Sequence, residues 1–403
     1  MNIIKKLSSL WNMASTMDIL EALYINSQSK SGTSVTWQTA LQYSTSLACA
    51  RVIGEALAQN PFKLMQLKDG KREPARDNSL FEVLSLKPND YMTSFELREN
   101  IGIVTAMTGN WFAFINRTKD GIQELLPWEP GQVKIIRDKW MVGYVLTTKD
   151  GEQVPVPPQN IWHVKGPTWN TYLGLDGVKL ARESIGLGIA TEEHGSLLFR
   201  NGAQSSGLLS TDQLINKEKA AQLKESWQED NAHGNRFKTA VLWSGMKWQS
   251  MAATNDQSQF LQTRAFQVEE VCRAFRVLPI MVGHSDKAAT YASSEQMFKA
   301  HSMYTLTPWT ERTEQSADVN LLTKQQRKDG MYTKFFINGL LRGVAKDRVA
   351  YYKGMSEIHA MTPNEIRELE DMNPYEGGDE FPILQGQSAG NDNTDDTAEG
   401  NDE

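Results

Sequence analysis

Two long helical segments flank a compact insert of about fifty residues in this chain. Apolar residues recur at helical spacing over roughly residues 178–201 and again over 258–275, and short strand-like and helix-like patterns fill residues 208–256. A single chain gains little stability by projecting an insert on two antiparallel helices. In a ring, neighbouring copies could bury the sides of these helices through one repeated head-to-tail interface. The pattern therefore favours an oligomeric α+β protein, in which helices ~30 Å long could line a channel wall.

The region before the first long helix alternates between predicted helices and strands. Asn60 ends a helix over about residues 40–59, because a residue that precedes a proline avoids the helical conformation. Thr93 and Glu96 form a capping box for the next helix. Strand-like runs, separated by Asp-Gly and Pro-Gly turns, then occupy residues 111–164.

The region after the second long helix is predicted to be mainly helical. A loop over residues 280–291 precedes a third long helix over about residues 292–306. Pro308 is expected in the first turn of a further helix, where its missing N–H is tolerated. Phe335 opens a run that is typical of a strand and a turn, and Thr362 opens the last predicted helix.

The net charge of −7 is concentrated at the carboxyl end of the sequence. Residues 386–403 contain six acidic residues and no Lys or Arg, so the remaining 385 residues carry a net charge of only −1. The tail has almost no apolar residues and is expected to be disordered. The nearly neutral body lacks the clustered basic residues of a protein that binds nucleic acid tightly.

Neither a membrane protein nor a disulfide framework is predicted. No run of 18 apolar residues occurs, so no segment is expected to span a bilayer. Cys49 and Cys272 are the only cysteines, and both lie in helical patterns among apolar neighbours, as buried thiols do. The first residues form a short amphipathic pattern that favours a protein contact. Residues 12–36 are polar and predicted to form an arm.

Local signatures of enzymes are incomplete throughout the sequence. Gly186 and Gly188 half-match a dinucleotide-binding loop, but they lie inside a helical pattern and favour helix packing. The run Gly283-His284-Ser285-Asp286-Lys287 is similar to a nucleophile elbow but has Lys where Gly is required. No phosphate-binding loop and no histidine pair with metal spacing is found. No catalytic residue, cofactor or metal is therefore expected, although a hydrolase or nuclease using Ser285 or dispersed carboxylates stays open as an alternative.

Eleven tryptophans are many for a chain of this length. Five of them lie in the β-rich region: Trp111, Trp128, Trp140, Trp162 and Trp169. Without a flanking basic pattern, a place in the sheet core or in a subunit interface is favoured over stacking on bases. A monomeric binding module built on this sheet is the second alternative.

Several short segments, in the right order over roughly residues 40–325, resemble the portal proteins of long-tailed bacteriophages. The segments that carry the resemblance are Ala48-Cys49-Ala50-Arg51-Val52-Ile53, Asn60-Pro61-Phe62, Pro88-Asn89-Asp90-Tyr91-Met92-Thr93, Thr108-Gly109-Asn110-Trp111, Phe199-Arg200-Asn201-Gly202-Ala203, Gln259-Phe260-Leu261-Gln262-Thr263-Arg264, Val271-Cys272-Arg273-Ala274-Phe275-Arg276-Val277-Leu278-Pro279 and Ser294-Glu295-Gln296. Leu278 stands where the family often has a second proline, and Gln262 where Glu is usual. These departures affect packing rather than the assignment.

The resemblance implies an α+β portal fold in a ring oligomer, with a mixed α/β wing, a two-helix stem, a small α+β clip, a tunnel loop and helix, and a short helical crown. The implied map is an N-terminal arm at 1–39, wing at 40–178, stem helices at 179–203 and 257–277, clip at 204–256, tunnel loop at 278–291, tunnel helix and its continuation at 292–324, a wing return strand at 325–355, crown at 356–385 and an acidic tail at 386–403.

The resemblance also implies a function: the chain would form the channel through which a terminase motor packages double-stranded DNA and through which the DNA is ejected, and it would connect head to tail. Twelve copies is the family's usual number, so a dodecameric ring at one capsid vertex is expected, assembled in the host cytoplasm and retained in the virion. Expected partners are double-stranded DNA, the terminase large subunit, a head–tail adaptor, and the major capsid protein or scaffold. Residues expected near DNA in the tunnel loop are Pro279, Gly283, His284, Ser285, Asp286 and Lys287. Residues expected to contact terminase or adaptor are Lys217, Lys219, Lys224 and Glu225.

Overall fold

The computed structural model describes residues 28–138, 141–169, 171–200, 207–211, 216–218, 220–222, 225, 247–250, 256–284, 291–337, 345–370 and 372–381. The chain divides into two compact units, residues 1–336 and 337–403. The expectations for the amphipathic start of the chain, for Trp140 and for the acidic tail lie outside the described residues.

The first unit alternates helices and strands. Its helices are α1 Trp37–Gln42, α2 Ser44–Gln59, α3 Ser79–Ser85, α4 Ser94–Thr108, α5 Gly177–Leu180, α6 Arg182–Arg200, α7 Asp256–Phe275, α8 Tyr291–His301, α9 Thr307–Asn320 and α10 Lys324–Lys328. Its strands are β1 Phe62–Lys68, β2 Lys71–Pro74, β3 Asn110–Thr118, β4 Gly121–Trp128, β5 Val133–Asp138, β6 Met141–Thr147, β7 Gln153–Val156, β8 Ile161–Lys165, β9 Gly207–Ser210, β10 Lys247–Ser250 and β11 Met331–Phe335. The second unit contains α11 Ala345–Glu357 and α12 Pro363–Leu369.

Helix boundaries follow the predicted capping signals. The Thr93 hydroxyl accepts a hydrogen bond from the Glu96 backbone N–H at 3.3 Å, and the Glu96 carboxylate accepts one from the Thr93 backbone N–H at 2.6 Å. The same box forms between Thr362 and Glu365 at the start of α12. Both boxes satisfy N–H groups that a helix start otherwise leaves unpaired, so these predictions are confirmed.

The third long helix differs from its prediction at its carboxyl end. Pro308 does lie in the first turn of α9, but the helix before it continues through a π turn at Ser302–Leu306. The Thr307 N–H bonds to the Ser302 carbonyl, five residues back. This wider turn accommodates a proline, which has no N–H to donate and whose ring clashes with a regular preceding turn. The helix is therefore continuous where a restart was expected.

The strand predicted to begin at Phe335 instead ends there. Strand β11 occupies Met331–Phe335 and pairs antiparallel with β1, placing Phe335 opposite Phe62. The two rings stack with centroids 4.3 Å apart. The strand starts after Gly330, which has a φ of 80° that favours glycine. Pairing with β1 and the turn at Gly330 determine where the strand begins and ends. The apolar run that starts at Phe335 does not contain this information.

Within the described residues the strands form four antiparallel sheets, in the orders β11-β1-β2, β4-β3-β8, β5-β6-β7 and β10-β9. The second and third share an apolar core, formed by Phe112, Tyr144, Leu146, Val156 and Ile161. Trp111 and Trp162 are completely buried, with ring centroids 5.1 Å apart in an edge-to-face arrangement. Of the two predicted places, sheet core or subunit interface, these two tryptophans occupy the sheet core.

His163 on β8 lies in this core with both ring nitrogens hydrogen-bonded. The Tyr144 hydroxyl is 3.1 Å from Nδ1, and the Asn110 amide oxygen is 3.0 Å from Nε2. Burial, helped by the charge of Lys165, lowers the pKa of His163 to about 3. His163 is therefore a neutral packed histidine.

Helix α9 covers the free edges of two sheets. The Ser316 hydroxyl donates to the His163 carbonyl on β8 at 2.8 Å. Asp318 accepts a hydrogen bond from the Thr333 backbone N–H on β11 at 2.7 Å, and Glu314 accepts one from the Phe335 N–H at 2.7 Å. Polar groups at these edges are thus paired within the chain.

Within the second unit, Asn364 fixes the chain that follows α12. Its side chain exchanges two hydrogen bonds with the Tyr375 backbone, each 3.0 Å long. Its backbone N–H donates to the Gly378 carbonyl at 2.8 Å. The segment after α12 is therefore folded back on the start of that helix.

Candidate functional site

Helices α6 and α7 form an antiparallel pair, as the sequence predicts. The Glu192 carboxylate lies 3.5 Å from the Arg264 guanidinium, and the rings of His194 and Phe260 lie 5.9 Å apart. The later residue of α6, His194, contacts the earlier residue of α7, Phe260, so the two helices run antiparallel.

The first half of α6 depends on glycines where other residues approach closely. A Cβ placed on Gly188 would lie 2.6 Å from the Tyr43 ring, and one on Gly186 would overlap the Ser29 side chain. Both glycines lie inside α6. The prediction that they serve helix packing, and not a dinucleotide loop, is confirmed.

The two cysteines join α7 to α2. Their sulfur atoms are 3.8 Å apart, and both side chains are buried and free of disulfides. The hydrogen bond to Cys272, together with burial, raises the pKa of Cys49. The predicted burial of both thiols is confirmed.

Helix α7 ends in an arginine with left-handed backbone geometry. Arg276 has a φ of 58°, its N–H bonds to the Arg273 carbonyl at 3.1 Å, and the Val277 N–H bonds to the Cys272 carbonyl at 2.9 Å. These two hydrogen bonds define a Schellman motif, whose left-handed position is usually glycine. The Thr305 hydroxyl in the π turn also donates to the Arg276 carbonyl at 2.8 Å.

Three of the residues expected in the tunnel loop come together in one turn. Pro279 begins a 3-10 turn that ends at Val282, and Gly283 follows with a φ of 77°. The His284 N–H donates to the Pro279 carbonyl at 3.0 Å, and its side chain is half-buried. The first part of the predicted loop is therefore an ordered turn. Ser285, Asp286 and Lys287 lie outside the described residues.

The residues expected to contact terminase or adaptor are only partly described. Lys217 and Glu225 are exposed, whereas Lys219 and Lys224 lie outside the described residues. In the same region β9 and β10 pair antiparallel, with Leu209 opposite Trp248. The two strands at the ends of the insert are therefore paired with each other.

The position of Arg312 on α9, over an aromatic ring, was not identified from the sequence. The Arg312 guanidinium carbon lies 5.7 Å from the centre of the Trp309 ring. Burial lowers the pKa of Arg312, and the nearby charge of Arg276 lowers it further. The positions are 36 residues apart in the sequence, and no local pattern links them.

Exposed apolar side chains are frequent around this helix pair. On α7, Leu261 is 66% exposed and Phe266 is 53% exposed. Met303 and Tyr304 in the π turn are similarly exposed. Trp169 is 80% exposed, so the prediction of a place in the sheet core is wrong for it.

Within the described residues, no group of three or more His, Cys, Asp or Glu side chains could hold a metal ion. Over the same part of the chain, the search for helices long and apolar enough to cross a membrane found none.

The sequence and fold match known proteins over most of the chain. The family model described as phage portal protein matches residues 44–371. The portal protein of Enterobacteria phage HK97 is 29% identical over 346 residues, which cover 84% of this chain and 81% of that protein.

Two solved structures share the fold. One is an HK97-family phage portal protein from Corynebacterium diphtheriae, with a TM-score of 0.58 and 13% identity, covering 77% of this chain and 98% of the other. The other is a chain in the neck of a native gene transfer agent particle, computed with C12 symmetry, with a TM-score of 0.55 and 19% identity, covering 84% of this chain and 94% of the other.

Proposed function

This chain belongs to the phage portal protein family, and on that basis we propose that twelve copies form a ring around a channel for double-stranded DNA at one capsid vertex. The related chain in the gene transfer agent neck, computed with C12 symmetry, supports the number twelve. DNA enters the capsid through this ring during packaging and leaves through it during ejection. The ring assembles in the host cytoplasm and stays in the virion.

The observation that most directly supports a ring is the exposure of apolar side chains on opposite sides of α7. Leu261 and Phe266 are five positions apart, which places them ~140° apart around a helix with 3.6 residues per turn. Elsewhere on the same helix, Gln267 and Val271 are buried against the rest of the chain. A head-to-tail ring gives every copy two different neighbours, one for each exposed side.

We extend the proposal to the regions implied by the family. Helices α6 and α7 act as the stem, the insert between them as the clip, and the turn at Pro279 as the start of a tunnel loop. The exposed Lys217 and Glu225, together with Lys219 and Lys224, would contact the terminase large subunit first and a head–tail adaptor later. The wing would contact the major capsid protein or scaffold.

A weak interaction with DNA suits this conduit. A separate terminase motor hydrolyses ATP and moves the duplex, while a wall that bound many phosphates strongly would stall it. The body of the chain carries a net charge of only −1 over 385 residues, consistent with a sliding contact. In the tunnel loop, His284 or Lys287 would lie nearest the phosphates.

The two alternative functions have less support. Trp111 and Trp162 are fully buried and so cannot stack on bases, which weakens a binding module on this sheet. The portal family is structural, and we propose no catalytic role for this chain. A Ser285→Ala variant that still supports packaging is expected, and loss of packaging would favour the hydrolase alternative.

Introducing charge on α7 tests the ring. Leu261→Lys and Phe266→Lys each place a charge on an apolar side of the helix, and each should prevent ring formation without unfolding the chain, because both positions are exposed in the single subunit. Gln262→Lys, at an exposed polar position between them, is the matched control and should assemble normally. Sedimentation velocity distinguishes the outcomes. Normal rings from both apolar-to-lysine variants would contradict this interface.

A further inference from the structure

We propose that Cys49 and Cys272 form a redox-sensitive modification site, at which a peroxide converts the two thiols into an intramolecular disulfide between α2 and α7. The bond forms after the ring has left the reducing host cytoplasm, and this timing rests on the proposed function. The disulfide adds a covalent link between the proposed second stem helix and a helix near the start of the chain.

The fold brings the two cysteines into direct contact. They are the only cysteines among 403 residues and lie 223 positions apart, yet their sulfur atoms are 3.8 Å apart. A disulfide requires a sulfur–sulfur distance of about 2.0 Å, so the two atoms need to approach by less than ~2 Å. Rotation of the two side chains, together with a small shift of the packed helices, covers that range. The tertiary structure therefore supplies the pairing that a disulfide needs.

Both cysteines lie on backbone that the fold holds in place. Cys49 is in the middle of α2, and Cys272 is in the last turn of α7, where its carbonyl accepts the Val277 N–H at 2.9 Å. Ile53, one turn after Cys49, and Val271, next to Cys272, are completely buried. Each thiol therefore faces the same partner in every folded copy.

The hydrogen bond between the thiols makes them chemically unequal. The Cys49 S–H donates to the Cys272 sulfur, and this bond lowers the pKa of Cys272 while it raises the pKa of Cys49. The thiolate is the reactive form of cysteine, so Cys272 reacts first. Its sulfur attacks one oxygen of the peroxide, the O–O bond breaks, hydroxide leaves, and Cys272 becomes a sulfenic acid.

The second step uses the neighbouring thiol. The hydroxide takes the proton of Cys49 and becomes water, and the Cys49 sulfur then attacks the Cys272 sulfur. The S–S bond forms as the S–O bond breaks, and the second hydroxide becomes water with the proton that Cys272 had lost. Two thiols and one hydrogen peroxide thus give one disulfide and two waters, with two electrons passing from the sulfurs to the peroxide.

Burial determines which oxidant reaches the pair. Cys49 and Cys272 are 0% and 1% exposed, so a bulky disulfide such as oxidised glutathione has no access to the folded chain, whereas hydrogen peroxide is small and uncharged. Contact with Cys49 also consumes the sulfenic acid before a second peroxide oxidises it further. Since a reducing cytoplasm keeps thiols reduced, the pair remains a dithiol during assembly.

The disulfide stabilises the helix that carries the proposed ring interface. It links positions 223 residues apart, which restricts the unfolded chain and makes the oxidised form more resistant to unfolding. Helix α7 also carries the exposed Leu261 and Phe266. Oxidation therefore ties the helix that contacts the neighbouring copies to the core of its own subunit.

The test exposes folded full-length wild type to hydrogen peroxide, removes the peroxide with catalase, unfolds the chain and labels free thiols with N-ethylmaleimide. Intact mass then counts the labels. The untreated chain should take up two labels, and the treated chain should take up none and lack two hydrogens. Dithiothreitol should restore both labels, and digestion of the oxidised chain should give one cross-linked peptide that contains Cys49 and Cys272.

Cys49→Ala and Cys272→Ala are the matched controls, because each removes one sulfur and keeps a small apolar side chain. Neither should form the intramolecular link, and only the wild type should show a higher urea midpoint after oxidation. The wild-type measurement stands even if a variant fails to fold. If both labels persist while a free thiol in the same solution is consumed, the proposal is overturned. Separate oxidation of each sulfur to a sulfinic acid, without a cross-link, also overturns it.

Two measurements separate this inference from the ring itself. Native mass spectrometry that shows rings whose copies keep both labels after peroxide overturns the disulfide and leaves the ring in place. A chain that forms the disulfide but no ring supports the thiol chemistry and contradicts the proposed function. In particles alkylated at cell lysis, every copy should carry two labels, and a disulfide already present at that stage would overturn the timing.

Discussion

The environment of His163 makes its charge state a source of pH-dependent stability. Its Nε2 donates to the Asn110 amide oxygen, which also accepts the Gly174 N–H at 2.8 Å. The Tyr144 hydroxyl donates to Nδ1. A second proton, on Nδ1, would require the Tyr144 hydroxyl to change from donor to acceptor and would place a charge in the core. Burial therefore favours the neutral ring, and the folded pKa of about 3 lies well below the ordinary value of 6.5.

We predict that His163 makes the chain less stable as the pH falls below about 6.5. Between that value and a pH of about 3 the unfolded chain binds a proton that the folded chain excludes, so the stability present above pH 6.5 is lost at about 1.4 kcal/mol per pH unit. The free energy of unfolding should therefore fall by about 2 kcal/mol more between about pH 7 and pH 5 in the wild type than in His163→Gln. Urea titrations at the two pH values measure this.

His359→Gln changes an exposed histidine and should keep the pH dependence of the wild type. If His163→Gln and the wild type lost equal stability on acidification, His163 would not be the neutral buried group described above.

At the scale of elements, α9 stabilises the fold by pairing with strand edges as well as by apolar packing. Asp318 accepts both the backbone N–H and the hydroxyl of Thr333, at 2.7 and 2.8 Å. Burial raises the pKa of Asp318, although these hydrogen bonds favour its charged form. The edge of β11 that does not pair with β1 is thus covered by side chains from one helix.

Asp318→Ala should lower the free energy of unfolding by about 1–3 kcal/mol, because it leaves the Thr333 backbone N–H without its acceptor, whereas the Thr333 hydroxyl can still donate to the Glu314 carbonyl at 3.1 Å. Glu311→Ala removes a nearby exposed carboxylate, 3.8 Å from Lys334, and should change stability by less than about 1 kcal/mol. Chemical denaturation of the two variants makes the comparison. Equal effects from both would show that the pairing of the β11 edge contributes nothing specific.

Replacing a glycine by alanine should have opposite effects on stability in α6 and in α11. Gly188→Ala should destabilise the chain by about 1–3 kcal/mol, because its Cβ would meet the Tyr43 ring at 2.6 Å. Gly354→Ala should stabilise α11 by up to about 1 kcal/mol, since nothing lies within 4 Å of an added Cβ there. Thermal melting of each variant gives the sign. A stabilising Gly188→Ala would contradict the close packing of α6 on Tyr43.

The elements that could be predicted well from the sequence are those specified by residues close to one another along the chain. The capping boxes at Thr93 and Thr362 and the periodicity of α6 and α7 depend on residues a few positions apart. Strand β11 was misplaced because its register depends on β1, about 270 residues earlier. Helix α11 was not predicted, and its apolar residues show little one-sided pattern.

The same distinction applies to the candidate site. Pro279 and Gly283 could be expected in a turn because both residue types have well-defined backbone preferences. The left-handed backbone of Arg276 could not, since glycine is the usual residue at that position of the motif. Exposure of Leu261 and Phe266 also depends on the packing of α7 on α6.

At the scale of the whole molecule, a single copy leaves substantial apolar surface uncovered. Leu261 and Phe266 on α7, Met303 and Tyr304 in the π turn, and Trp169 are all more than half exposed. Surfaces of this kind mark interaction sites when they are grouped. A closed ring accounts for exposure on opposite sides of one helix, and membership of the portal family gives that ring its function.

The mass of the native full-length assembly tests this account most directly. Native mass spectrometry of the purified wild type should show a closed ring of about twelve times the 45.3 kDa of one chain. A correctly folded chain that stayed at the mass of one copy at high concentration would contradict it.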